Sequence, residues 1–145
     1  MSETETSNQM ASGTVSSTVK WLAGVNGLLG LWMIVFPFLF AAPPTDLWND
    51  VIVGTVIAGL AAYNYYRESK GEVASRVSAA LNMLLGLWLI AAPFVFGVEG
   101  ALLWNDVIVG TTVTLLAGYN WGQDSSKQRP RSHSLTVFLG PETSA

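Results

Sequence analysis

Two aspartates recur within this 145-residue chain in matched surroundings. Asp50 sits in Leu47-Trp-Asn-Asp-Val-Ile-Val-Gly-Thr55, and Asp106 sits in the same nine residues, Leu103 to Thr111. Two chemistries suit such a carboxylate. At the opening of a helix it meets free N–H groups and the positive end of the dipole, with Asn49 and Asn105 able to cap the same turn. Brought together near an axis relating the two strings, the same carboxylates would bind an ion or share a proton. The distance between them decides, and sequence does not supply it.

Other reactive chemistry is thinly represented. With no cysteine there is no disulfide and no thiolate nucleophile. His133 is the one histidine. Without cysteine or clustered carboxylates beside it, no metal site is expected. No Gly-rich phosphate loop, nucleophile elbow or triad can be assembled, so the chain reads as a non-enzyme that needs no cofactor. A net charge of −3 offers no basic face, which excludes nucleic acid as a partner. Trp32 and Trp88, with Phe36, Phe38, Phe40, Phe94 and Phe96, form aromatic groups that suit packing or lipid contact better than a ligand cage.

The elements that carry these residues read as membrane helices. Half the residues are hydrophobic and only 12% are charged, against about 25% in an ordinary soluble domain. No charge falls between Lys20 and Asp46, Asp50 and Arg67, Arg76 and Glu99, or Asp106 and Asp124. About 20 apolar residues cross a bilayer core as a helix, which predicts spans near 18–40, 47–66, 74–97 and 102–121. Trp48 and Trp104 mark one interface, and Trp21, Tyr65, Tyr66 and Trp121 the other. The N-terminus lacks the basic-then-apolar pattern of a cleaved signal. Residues 1–17 read as a disordered cytoplasmic tail, 67–73 as a cytoplasmic connector and 122–145 as a mostly disordered cytoplasmic tail, apart from the short apolar piece Ser134–Gly140.

Residues 26–65 align without a gap on residues 82–121, and 23 of these 40 positions are identical. Chance does not produce that match, so the chain reads as a duplicated hairpin, repeat 1 over 18–66 and repeat 2 over 74–121. All seven basic residues fall outside the two hairpin turns, on one side of the predicted membrane. The positive-inside rule makes that side cytoplasmic, with both termini there. The predicted fold is all-α: four transmembrane helices as two tandem parallel-repeat helical hairpins, related by an axis along the membrane normal. The lipid bilayer is the expected partner; self-association and a second membrane protein are the open alternatives.

Helices in lipid are held by small residues and interhelical hydrogen bonds. Gly54, Ala58 and Ala62 repeat every four residues, as do Gly110, Thr114 and Gly118, while Asn26/Gly30 and Asn82/Gly86 share a face. Folding each hairpin about its turn sets Asn26 level with Tyr63 and Asn82 with Tyr119. Hydrogen bonds are predicted to link these depths, directly or through Asn64 and Asn120. Pro37 and Pro93 each remove a backbone donor near a helix end, bending the chain toward the turn.

The repeated pattern resembles the SPW-repeat family of prokaryotic membrane proteins, whose two-helix unit carries Ser-Pro-Trp in the first helix and Trp-Asn-Asp with Gly in the second. At the name-giving motif this chain has Phe36-Pro37-Phe38 and Ala92-Pro93-Phe94, so only the proline remains in each copy. Gly86-Leu-Trp-Leu-Ile, Pro93 and Trp104-Asn-Asp-Val-Ile-Val-Gly110 lie closer to the pattern. The resemblance covers about residues 20–122 and implies a bacterial or archaeal cytoplasmic membrane, with no catalytic role.

Overall fold

The computed structural model describes residues 3–72 and 75–127. They form four helices: α1 (Glu3–Leu39), α2 (Pro44–Ser69), α3 (Arg76–Phe96) and α4 (Ala101–Lys127). No strand occurs among the described residues. Three segments are long and apolar enough to cross a membrane: Lys20–Leu39, Arg76–Phe96 and Ala101–Gln123. α2 has 26 residues and carries Asp46, Asp50, Arg67 and Glu68 near its ends.

α1 begins at Glu3, where the sequence predicts a disordered tail. No proline interrupts the chain before Pro37, so a helix nucleated in the apolar segment extends backwards, and Glu3 and Glu5 favour its first turn through the dipole. α4 likewise runs past its predicted end at residue 121 to Lys127. His133 and Ser134–Gly140 lie outside the described residues.

α1 packs along α2 and α3 along α4, with smaller contacts between α2 and α3 and between α1 and α4. Gly30 and Gly54 let the first pair approach backbone to backbone. A Cβ on Gly30 would stand 2.6 Å from the Ala58 nitrogen, and one on Gly54 would stand 2.6 Å from the Gly30 oxygen. Gly86 and Gly110 repeat this contact 56 residues later, against Thr114 and each other's carbonyl oxygens. A Cβ on Gly27 would touch Ala61, so the two helices run in opposite directions. The small-residue stripe therefore holds at Gly54 and Ala58 and then passes to Ala61, while Ala62 is exposed.

Inside the four helices lies one apolar layer of Met33, Val53, Ile57, Leu89, Val109 and Val113. The buried face of α2 follows helical spacing through Asp46, Asp50, Val53, Gly54, Ile57, Ala61 and Asn64. Tyr63 is one position off that face and 51% exposed; Tyr119 is 48% exposed. This corrects the predicted tyrosine–asparagine links. The carbonyl oxygens of Asn26, Asn64, Asn82 and Asn120 are buried without a donor, so no tyrosine hydroxyl reaches them.

Pro37 and Pro93 are fully buried, and their helices end two and three residues later. Each proline carbonyl accepts a bond from the chain leaving the helix, from Ala42 N (2.9 Å) and Val98 N (3.0 Å). The residue before each of these donors turns left-handed: Gly97 at φ 68° and Ala41 at φ 48°. Glycine adopts that conformation freely, whereas alanine crowds its Cβ against the backbone.

Replacing Ala41 with Gly should therefore raise stability by about 1 kcal/mol, read from unfolding in detergent. Gly54→Ala and Gly110→Ala should each cost about 1–3 kcal/mol or more by overpacking. Gly59→Ala is the control: its added methyl meets nothing within 4 Å, and that variant should be no less stable than the parent.

Candidate functional site

The repeated Trp-Asn-Asp strings come together at the end of the molecule that holds the two hairpin turns. α2 starts at Pro44 and α4 at Ala101, so Asn49, Asp50, Asn105 and Asp106 lie in the second turn of each helix. They do not cap it. The residue before α2 is Pro43, which gives no side-chain cap bond. The capping alternative requires these residues at the helix start. Two prolines set the α2 start a turn and a half earlier.

Their hydrogen bonds run between repeats instead. Trp88 Nε1 donates to Asn49 Oδ1 at 2.8 Å, and Asn49 Nδ2 donates to Asp50 Oδ1 at 3.2 Å. The matched chain runs from Trp32 Nε1 to Asn105 Oδ1 at 2.9 Å, and from Asn105 Nδ2 to Asp106 Oδ1 at 3.2 Å. Asn105 Nδ2 also lies 3.4 Å from Met33 Sδ. Each repeat therefore uses the tryptophan of its first helix to orient the asparagine and aspartate of the other repeat's second helix.

Asp50 and Asp106 meet at the centre with a third carboxylate, Asp46. One oxygen from each of the three lies within 4.8 Å of the others. All three residues are buried, with Asp46 and Asp50 fully so. Both oxygens of Asp46, Oδ2 of Asp50 and Oδ2 of Asp106 receive no hydrogen bond. The nearest compensation is electrostatic, from the positive N-terminal ends of α2 and α4. Lys20, Arg67, Lys70 and Arg76 stand at the other end of the helices, where Lys70 Nζ sits 4.4 Å from the Tyr66 ring centroid and Arg67 pairs with Glu72 at 2.9 Å.

Among the described residues, Asp46, Asp50 and Asp106 form a group whose oxygens converge closely enough to hold a metal ion, which joins a third carboxylate to the Asp50–Asp106 pair that the sequence offers as a candidate ion site. The second repeat has Leu102 at the place of Asp46, so Asp46 is absent from the repeated motif. The signal was present in its spacing: four residues before Asp50, it must share Asp50's helical face. Trp32 and Trp88 do more than pack or meet lipid: their N–H groups are the donors that join the repeats.

Trp32→Phe and Trp88→Phe should each remove one of the crossed bonds and cost about 0.6–1.7 kcal/mol in lipid or detergent. Combining Trp88→Phe with Asn49→Ala in a double-mutant cycle should show coupling, whereas Trp88→Phe with Asn105→Ala should be closer to additive.

No curated protein and no solved structure matches the chain. The family model of the SPW repeat domain matches residues 10–120, more than the 20–122 expected at its N-terminal side. That match spans both Trp-Asn-Asp strings, both prolines and both glycine contacts, and the chain belongs to the SPW repeat family.

Proposed function

We propose that the protein is a non-enzymatic, four-span unit of the cytoplasmic membrane that serves as a structural or interaction component of a membrane complex. The observation that carries this reading is the filled axis. Met33, Ile57, Leu89 and Val113 are all fully buried between the repeats, leaving no room there for a continuous polar path. A transporter with its route between the repeats would need this layer to open. The carboxylate cluster favours that second reading, and the apolar layer beneath it opposes it.

α2 is the fourth span in this proposal. Its 26 residues rise about 39 Å, more than the core of a bilayer. Asp46 and Asp50, which would penalise a lipid-facing helix, point inward and are buried. Large apolar side chains such as Leu28, Leu84, Phe94, Val95 and Leu115 cover the outside of the molecule, each more than 60% exposed. Such a surface aggregates in water and is at ease in acyl chains. Trp48 and Trp104 are exposed at one end and Trp21, Tyr65, Tyr66 and Trp121 at the other, at interfacial depth. Lys20, Arg67, Lys70 and Arg76 support a cytoplasmic assignment for the α2–α3 connector and the termini.

Two measurements test the proposal. The chain has no cysteine, so single cysteines report topology cleanly. A membrane-impermeant maleimide should label Glu99→Cys in intact cells, and Lys70→Cys only after permeabilisation. The reverse pattern would sink the orientation. In mild detergent the purified protein should travel with a partner or a further copy. A lone chain that carries ions into sealed vesicles would instead establish the transporter reading.

A further inference from the structure

We infer that Asp46, Asp50 and Asp106 form a site for one hard divalent cation of calcium's size, held between the repeats at the end that carries the hairpin turns. Asp50 and Asp106 alone would not carry this assignment. They belong to the repeated motif, and each has one oxygen occupied by its neighbouring asparagine. Asp46 is the independent observation. It has no carboxylate counterpart in the second repeat, is fully buried, points into the pair, and neither of its oxygens receives a hydrogen bond.

A carboxylate in such a place is costly. Burying an unpaired charge is among the most unfavourable events in a fold, and here three like charges converge. The second repeat has Leu102 at the matching place, where the side chain is half-buried. A carboxylate buried like Asp46 is relieved either by a proton or by a cation, and among the described residues the basic side chains stand at the far end of the bundle.

The three ligand oxygens all lie within 4.8 Å of one another, close enough to share one ion. The chemistry of the donor set selects its class: a dry cage of carboxylates favours calcium, because magnesium gives up its water reluctantly and is seldom held by protein ligands alone. Oxygen-only ligation also favours a hard cation over zinc or copper. Asp46 is one helical turn nearer the end of α2 than Asp50, which makes it the first carboxylate an entering ion would meet.

The test uses the full chain purified in detergent and treated with a chelator. Calcium titration by calorimetry should show one ion per chain, with an unfolding temperature that climbs as calcium is added. Magnesium should bind at least about tenfold more weakly, given its demand for shorter contacts. Asp46→Leu, which copies the second repeat, and Asp46→Asn should each weaken calcium binding by at least about tenfold. Should neither variant fold, terbium provides the readout on the unmodified chain: emission sensitised by the nearby tryptophans, lost when calcium displaces it. The inference is overturned if calcium up to about 10 mM, above the weakest extracellular sites, leaves both heat and unfolding temperature unchanged. Asp46 variants that bind calcium like the parent would overturn it equally.

Discussion

Lipid removes the force that drives most proteins to fold. Surrounded by acyl chains, two apolar helices gain little from hiding side chains against one another, and they adhere only where their backbones come close. In this protein that closeness is concentrated at Gly30 with Gly54 and Gly86 with Gly110, where a single added carbon has no space. Gly54 follows Asp50 by four residues and Gly110 follows Asp106 by four. The register that seats the glycines thus also sets the depth of the carboxylates, one turn away on the same helices.

From that register follows a layered interior. One layer holds aspartate and asparagine; the middle holds Met33, Leu89 and their β-branched neighbours; a third holds Asn26, Asn64 and Asn82, about 10 Å beyond the middle by helical rise. Polar groups at both ends thus enclose an apolar centre. The departure from two-fold symmetry is concentrated where it costs most. Asp46 faces a site whose partner position is Leu102, so the polar layer has three carboxylates instead of an even number.

Helix number and packing partners were legible because the repeat and the uncharged runs are statements about period and length, which local chemistry enforces. The close glycine contacts were legible for the same reason. The helix ends at the two hairpin turns were legible to within three residues, with Pro44 opening α2 ahead of its predicted start at 47. The far ends of α1 and α4 were not, because both helices run on beyond the apolar stretch that predicts them, to Glu3 and Lys127. The Tyr63 and Tyr119 links failed because matching two residues by depth ignores their angle about the helix, and Tyr63 is rotated off the buried face. Asp46 has no counterpart in the second repeat, where Leu102 stands, so the shared motif does not contain it. The Trp–Asn bonds required knowing which helices are neighbours across the axis, which a sequence of two equivalent halves leaves open.

The crossed tryptophan bonds carry an implication about self-sufficiency. A lone hairpin of this kind has an indole donor and an amide acceptor that cannot meet each other, because each is completed by the opposite half. It would find its complement only in a second molecule, at whatever density the membrane provides. Tethered by a short connector, the halves instead see one another at an effective concentration of order millimolar, whatever the expression level. Joining them also frees each half to change alone, and the aspartate present in one and missing from the other is the kind of divergence that a pair of identical subunits could never acquire.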